Sequence, residues 1–178
     1  MLVIRGCKIL YHGNWLVKHQ LVCNKEGVIT HIEAISDDNL ELDANIIDYP
    51  EDSYLIPGLI DCHMHGAAGY DVMDADINGL AEISKSLVKE GTTGFLATTM
   101  TMDDASIERA LKSVAEYNLG DHKDFKKGSK ILGVHLEGPF LSTKHPGAQN
   151  HAHIKQPDIE LFDKWQDISL NSIKLITI

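Results

Sequence analysis

Hydrophobic and polar positions divide the chain into two parts with different periodicities. In the first part, short apolar stretches alternate with polar positions and are separated by glycine-containing turns, most clearly in residues 2–10, 14–24 and 27–35. A period of two is typical of strands with one buried face. We therefore predict a small β-layer over residues 1–54. Because such short strands bury little surface on their own, we expect the layer to pack against another part of the protein.

Strands and helices alternate in the second part, residues 55–178. Residues 58–65 form an apolar run without alternation, which predicts a strand buried on both faces. Further strands are predicted at 92–100, 130–140 and 172–178, and helices at 78–90, 103–118 and 157–167. This order predicts an α/β protein with a parallel sheet, either open and doubly wound or a (β/α)8 barrel. Since a complete barrel takes about 250 residues, these elements would form half of one.

Capping residues predict the ends of the three helices. Asn78 is a candidate N-cap for the first helix, and Gly91 is placed to end it. Either Asp103 or Asp104 is expected to cap the second helix. Pro157 is expected in the first turn of the third, where its missing N–H has no helical partner to lose.

Composition and charge narrow the classes of function. The chain has 178 residues, of which 43% are hydrophobic and 24% are charged, as in globular proteins with a sizeable core. A net charge of -10 disfavours nucleic acid and anionic membranes as partners. No apolar run reaches the roughly 20 residues that span a bilayer, and we expect no signal peptide. Three unclustered cysteines favour a reducing cytoplasm, and Cys23 and Cys62 are expected to be buried in strands.

Two histidines end the first strand of the second part. His63 and His65 are separated by one residue, so on an extended strand both side chains point to the same face. Two adjacent imidazoles at a strand end are suited to binding a metal ion, and exposed loop histidines are the alternative. Asp61 shares this face and is a candidate acceptor for an imidazole N–H, or else a structural carboxylate.

A carboxylate ends the third predicted strand of this part. Glu137 is followed by Gly138 and Pro139, so its side chain can project into a cleft where the strand stops. Because parallel strands end at one edge of a sheet, Glu137 and the two histidines could form a set of two imidazoles and one carboxylate, which suits Zn²⁺ or Fe²⁺. A glutamate that caps the next segment or pairs with a surface lysine is the alternative. His135 shares its face and is expected to be packed and hydrogen-bonded.

The motifs around these residues resemble those of a known family. IPGLIDCHMHG, followed by YDVMDA, and then GVHLEGPF followed by GAQ, look like the N-terminal half of the N-acetylglucosamine-6-phosphate deacetylases. The first motif is shared by much of the metal-dependent amidohydrolase superfamily, whereas HLEGPF with GAQ is much narrower. GTTGFLATTMT and the final IKLITI fit the same pattern, so the resemblance extends over essentially the whole chain.

This resemblance implies a particular fold. The family fold is a (β/α)8 TIM-type barrel with a small β-sandwich built from both chain termini. Residues 1–54 would then be part of the sandwich, and residues 55–178 the first half of the barrel. The family's assembly is a homodimer, which we expect for the full-length protein.

The resemblance also implies site residues. Glu137 corresponds to the principal metal ligand, and His63 and His65 to a pair that holds a second metal in some members. Ala148 and Gln149 fall where the family contacts its amino-sugar substrate. The implied cofactor is therefore one or two divalent metal ions, Zn²⁺ or Fe²⁺.

The implied reaction is hydrolysis of the acetamide of N-acetylglucosamine 6-phosphate, a small amino-sugar phosphate, to glucosamine 6-phosphate and acetate. The metal would polarise the carbonyl and activate water, and a carboxylate would move the proton. The family's catalytic aspartate, further histidine ligands and phosphate-binding residues are expected beyond Ile178, so no catalytic residue is assigned and the 178-residue fragment is expected to be inactive. Another amidohydrolase acting on a cyclic amide or an N-acetyl amino acid, and a catalytically silent truncated module, are the alternatives.

Overall fold

The protein is represented by a computed structural model that describes residues 1–36, 44–120 and 128–178. Most of the stretch between the predicted helix at 103–118 and the predicted strand at 130–140 lies outside these residues. The chain divides into two compact units, Met1–Pro57 and Gly58–Ile178. Each unit has its own cluster of buried hydrophobic side chains.

The first unit consists of short strands in two sheets. Its described residues form β1 (Leu2–Arg5), β2 (Lys8–Tyr11), β3 (Asn14–Leu16), β4 (His19–Cys23), β5 (Ile29–Ala34), β6 (Asn45–Asp48) and β7 (Tyr54–Leu55). The strand orders are β5-β4-β1-β6 and β3-β2-β7, with parallel and antiparallel pairs. The predicted strands are present, but turns divide the first two apolar stretches into two strands each. The prediction of a β-layer in this part of the chain is therefore confirmed at the level of secondary structure.

The second unit is an α/β arrangement around a parallel sheet. In chain order it contains β8 (Leu59–Met64), β9 (Gly66–Ala67), β10 (Tyr70–Asp71), α1 (Ile77–Val88), β11 (Thr92–Thr98), α2 (Asp104–Leu119), β12 (Lys130–Glu137), α3 (Ile159–Ile168) and β13 (Ile173–Thr177). The sheet has the order β13-β12-β11-β8, and all three strand pairs in it are parallel. Buried side chains of β11, β12 and all three helices belong to one hydrophobic cluster. The predicted α/β class is confirmed.

Two helices begin at residues that differ from the predicted ones. Asp76 caps α1, because its side chain accepts a hydrogen bond from the Asn78 backbone N–H at 2.9 Å. The prediction of Asn78 as N-cap is therefore wrong, and Asn78 lies within the helix. Asp158 caps α3 in the same way, so Pro157 precedes the helix instead of occupying its first turn. α1 ends at Val88 with Lys89 as its C-cap. Gly91, with a φ of +80°, lies two residues beyond this cap and one residue beyond the position predicted for it.

The burial of β8 also differs from the prediction. Leu59 and Ile60 are 54% and 63% exposed, and Cys62 is exposed as well. The expectation of a strand buried on both faces, with an inert thiol inside it, is wrong. The physical reason is position, because β8 is an outer strand of the sheet as described and has one neighbour there. Cys23 is buried as predicted.

No helix among the described residues is long and apolar enough to cross a membrane.

Asp103 caps α2, and we expect it to make the stability of the fold depend on pH. Its carboxylate accepts hydrogen bonds from the hydroxyl and the backbone N–H of Ser106, at 2.8 and 2.9 Å. These bonds, the hydroxyl first, lower the pKa of Asp103 below its ordinary value of 3.8. A carboxyl with a lowered folded-state pKa stabilises the fold above its unfolded-state pKa, and this stability is lost as the pH falls through the folded-state value.

We expect the melting temperature to fall more steeply below about pH 4 in the wild type than in Asp103→Ser. Serine retains the cap without titrating in this range. Thermal unfolding followed by circular dichroism at constant ionic strength would measure both slopes. Identical slopes would show that Asp103 makes no contribution linked to its ionisation.

Candidate metal site

The paired histidines lie side by side at the end of β8. The ring centroids of His63 and His65 are 4.7 Å apart, and the ring planes are nearly perpendicular at 88°. This is the arrangement expected from two positions separated by one residue on extended backbone. The side chain of His63 is about half exposed and that of His65 is more buried.

Glu137 reaches both histidines from the end of β12. Its Oε2 atom lies 2.9 Å from His65 Nε2 and 3.9 Å from His63 Nε2. The strands β8 and β12 are separated in the sheet by β11, and the parallel pairing places their carboxyl ends at the same edge. One potential ligand atom from each residue lies within 4.8 Å of the others. The structure therefore brings together the three side chains that the sequence identified as candidate ligands.

The local chemistry of Glu137 and His65 fits a bound cation. His65 Nδ1 is 3.2 Å from the carbonyl oxygen of Thr98, which can only accept, so Nδ1 carries a hydrogen. In the neutral ring the lone pair then lies on Nε2, facing Glu137 Oε2. That oxygen is buried and has no hydrogen-bond partner among the described residues, despite the short distance to His65. Two lone pairs at this separation repel each other unless a proton or a metal cation lies between them.

The donor set and its spacing point to the class of cation. Two imidazole nitrogens and a carboxylate oxygen suit Zn²⁺ and Fe²⁺, which accept mixed nitrogen and oxygen ligands. Ligand atoms of a tetrahedral site with bonds of about 2.0–2.1 Å lie about 3.3–3.4 Å apart. This spacing falls between the 2.9 and 3.9 Å that separate Glu137 Oε2 from the Nε2 atoms of His65 and His63. Small movements of the side chains would therefore be enough for one cation to contact all three.

His135 is buried beside the three candidate ligands. Its Nδ1 lies 3.2 Å from His63 Nδ1, and its Nε2 lies 2.7 Å from the hydroxyl oxygen of Thr177. Burial lowers the pKa of His135 from 6.5, and the nearby His63 lowers it further, whereas the Cys62 carbonyl and Glu137 act in the opposite direction. The ring is therefore neutral near pH 7. The expectation of a packed, hydrogen-bonded histidine is confirmed.

Asp61 acts on the backbone and not on an imidazole. Its Oδ1 atom accepts a hydrogen bond from the His63 backbone N–H at 2.9 Å. Of the two interpretations of Asp61, the geometry matches the structural carboxylate. The imidazole partners are instead the Thr98 carbonyl and the His135 ring. The sequence does not identify Thr98 as a partner of His65, because the contact is made by the main-chain oxygen of a neighbouring strand. A side-chain motif cannot predict such a contact.

Gly138 allows the chain to turn immediately after Glu137. Its φ of +75° lies in the left-handed region that favours glycine. A Cβ at this position would collide with the Thr101 side chain. Glycine is thus required at position 138 by the backbone conformation and by close packing. It also leaves room for the Glu137 side chain to project.

The two predicted substrate contacts lie in the loop between β12 and α3. Gln149 is buried, and its Oε1 atom accepts a hydrogen bond from the Thr101 backbone N–H at 2.8 Å. Its Nε2 atom lies 3.6 Å from the sulfur of Met100. Ala148, next to it, is exposed. Gln149 therefore anchors the loop that carries Ala148, and a role of either residue in substrate binding stays a prediction.

The fold and the site together define an α/β protein with a candidate divalent-metal group at the carboxyl ends of parallel strands. No family model matches the chain. Curated relatives include the N-acetylglucosamine-6-phosphate deacetylases of Bacillus subtilis (strain 168), 45% identical over 132 residues, Lysinibacillus sphaericus, 40% over 158, and Vibrio furnissii, 34% over 169. These alignments cover 74%, 86% and 95% of this chain. The chain spans only 33%, 38% and 40% of the relatives' own lengths.

Solved structures give a consistent result. The N-acetylglucosamine-6-phosphate deacetylase from Pasteurella multocida matches 99% of this chain with a TM-score of 0.83 and 25% identity, over 44% of its own length. The corresponding enzyme from Thermotoga maritima matches 91% of this chain with a TM-score of 0.72 and 26% identity, over 39% of its length. The resemblance inferred from the sequence motifs is confirmed. This chain is homologous to the N-terminal part of N-acetylglucosamine-6-phosphate deacetylases.

Proposed function

We propose that this chain supplies part of the active site of a metal-dependent hydrolase that converts N-acetylglucosamine 6-phosphate to glucosamine 6-phosphate and acetate. The observation that carries the proposal is the convergence of His63, His65 and Glu137 in a chain that is 45% identical over 132 residues to a Bacillus subtilis deacetylase. The buried Glu137 oxygen without a hydrogen-bond partner among the described residues supports a cation at this point.

We propose further that the second unit is the first half of a (β/α)8 barrel, over residues 55–178, and that residues 1–54 are part of a β-sandwich. The exposed apolar side chains on the outer strands support this, because additional barrel strands would pair there. These side chains are Leu59, Ile60, Leu175 and Ile176. An unpaired apolar edge would otherwise favour aggregation. The structural match to the Pasteurella multocida deacetylase supports the same arrangement.

The proposed roles of the residues follow from their geometry. Glu137 and the Nε2 atoms of His63 and His65 would hold one or two divalent cations, Zn²⁺ or Fe²⁺. A bound cation of this kind polarises an amide carbonyl and lowers the pKa of water. The Thr98 carbonyl keeps the His65 lone pair on the side of Glu137. We assign no proton-transfer residue to this chain.

The remaining proposals concern the substrate and the assembly. Ala148 is exposed, and it lies in a loop that is held to the residues after β11 by the hydrogen bond from the Thr101 N–H to Gln149. This supports a role of the loop in contacting the amino sugar. We propose a cytoplasmic location, which the three free cysteines support. A homodimer of the complete enzyme rests on the resemblance alone.

A chimeric enzyme tests the proposed function. This chain would replace the aligned third of the Bacillus subtilis relative, and acetate release from N-acetylglucosamine 6-phosphate would be measured with added Zn²⁺ or Fe²⁺. We expect turnover that a chelator abolishes and the added metal restores, with the parent enzyme as the control. Turnover of a cyclic amide or an N-acetyl amino acid, with the sugar phosphate inert, would favour a different amidohydrolase. A folded, metal-loaded chimera without any turnover would contradict the proposal.

A further inference from the structure

Three strands of the sheet meet at the ring of one buried histidine. His135 projects from β12, and its two ring nitrogens contact His63 at the end of β8 and Thr177 at the end of β13. The His63 and His135 ring centroids are 5.1 Å apart. His135 is therefore not among the three candidate ligands, but it contacts one of them directly.

We propose that His135 is a positioning residue that selects the metal-binding tautomer of His63. In this arrangement the His135 Nδ1 atom accepts the hydrogen of His63 Nδ1, and His135 Nε2–H donates to the hydroxyl oxygen of Thr177. The inference rests on the proposed function, because it concerns a histidine of the proposed metal site.

The direction of these hydrogen bonds follows from which atom of His63 faces the site. His63 Nε2 is the ring nitrogen near Glu137, at 3.9 Å from its Oε2 atom. When Nε2 donates its lone pair to a cation, the hydrogen of the neutral ring lies on Nδ1. The His135 Nδ1 atom, 3.2 Å away, must then accept, and the His135 hydrogen lies on Nε2, 2.7 Å from Thr177 Oγ1.

A neutral histidine suits this position better than a charged group. It offers one acceptor and one donor on opposite sides of a rigid ring, which matches the two partners observed. A protonated ring would point a second N–H at His63 Nδ1 and oppose the required tautomer.

The two candidate histidine ligands are consequently held in different ways. His65 is oriented by a main-chain carbonyl on the adjacent strand β11, whereas His63 is oriented through two side chains that extend to β13. Substitutions at His135 or Thr177 should therefore act on metal binding through His63, without removing any metal ligand.

Zn²⁺ binding to the chimeric enzyme, which supplies the ligands expected beyond Ile178, tests the role of His135. Affinity would be measured by competition with a chromophoric chelator. Loss of a hydrogen-bond partner of a metal ligand typically weakens binding by about 10- to 100-fold, and we expect this for His135→Leu. His135→Asn should recover most of the affinity, because its Oδ1 atom can accept from His63 Nδ1–H. Thr177→Val should weaken binding less than His135→Leu, and the matched control Thr177→Ser should bind like the wild type.

Nitrogen-15 NMR of the histidine rings shows which nitrogen of each ring carries the hydrogen, and altered packing alone would not change this result. In the Zn²⁺-loaded wild type we expect hydrogen on Nδ1 of His63 and on Nε2 of His135. Hydrogen on Nδ1 of His135, or equal Zn²⁺ affinity in the wild type and His135→Leu, would overturn the proposed role while leaving the metal site intact. A folded wild type that binds no Zn²⁺ would refute the proposed metal site and this role together.

Discussion

Replacing Glu137 by glutamine is expected to reduce the Zn²⁺ affinity of the chain by more than about a hundredfold, beyond the loss typical of a ligand's hydrogen-bond partners. Glutamine has nearly the same shape, but it is neutral, and its amide is a far poorer metal ligand than a carboxylate. Only two imidazoles then remain from the group identified among the described residues. In the chimeric enzyme, the same substitution is expected to abolish acetate release. Chelator competition and an acetate assay would measure the two effects.

The stability of the metal-free Glu137→Gln variant distinguishes a ligand from a structural glutamate. Glu137 Oε2 is buried without a hydrogen-bond partner in the part of the chain that the structure describes, and burying a charged oxygen in this way destabilises the fold. Without metal, the variant should therefore melt at the same temperature as the wild type or higher. The exposed Glu116→Gln provides a control of equal charge change, expected to alter neither quantity. A lower melting temperature with unchanged Zn²⁺ affinity would identify Glu137 as a structural residue.

The convergence of the three candidate ligands was predictable because it depends on two general rules. Alternation along a strand places His63 and His65 together, and parallel strands end at a common edge, which adds Glu137. Neither rule requires the detailed register of the sheet. The motif that begins at Gly133 also carried the resemblance, so the chemical and the comparative arguments depend on the same short segments.

The surroundings of those ligands were not predictable in the same way. The contacts of His135 with His63 and Thr177 depend on how the strands are offset, and each parallel pair in this sheet contains a register irregularity. Such offsets have no marker in a single sequence. The exposure of Leu59 and Ile60 has a similar origin, because an apolar run does not reveal whether its strand lies inside a sheet or at its edge.

The predicted start of the first helix was wrong for a more local reason. Both Asp76 and Asn78 are favoured N-cap residues, and they are close enough to compete for the same helix end. The aspartate occupies the cap because its carboxylate reaches the N–H of Asn78 from extended backbone. Capping patterns thus predict that a helix begins nearby, and the surrounding packing decides between neighbouring candidates.

Trp165→Ala is expected to destabilise the fold more than any substitution at the helix caps or the metal site. Trp165 lies on α3 with 0% exposure, and its ring stacks on Phe140 with centroids 5.9 Å apart. Truncating a buried tryptophan leaves a cavity and costs about 3–5 kcal/mol. This is a large share of the roughly 5–15 kcal/mol that stabilises a typical domain. Urea unfolding followed by circular dichroism would measure the difference.

The effect of Trp165→Ala should also extend to the candidate metal site. Phe140 follows Glu137 by three residues. Loss of the Trp165 ring that stacks on Phe140 is therefore expected to loosen the segment that positions the Glu137 carboxylate, and Zn²⁺ affinity should fall as well. Trp165→Phe is the matched control. It keeps an aromatic ring against Phe140 and removes an indole N–H that has no hydrogen-bond partner among the described residues. The phenylalanine variant should therefore lose clearly less stability and retain Zn²⁺ binding. Equal losses in both variants would show that the indole, and not the stacking on Phe140, is what stabilises this region.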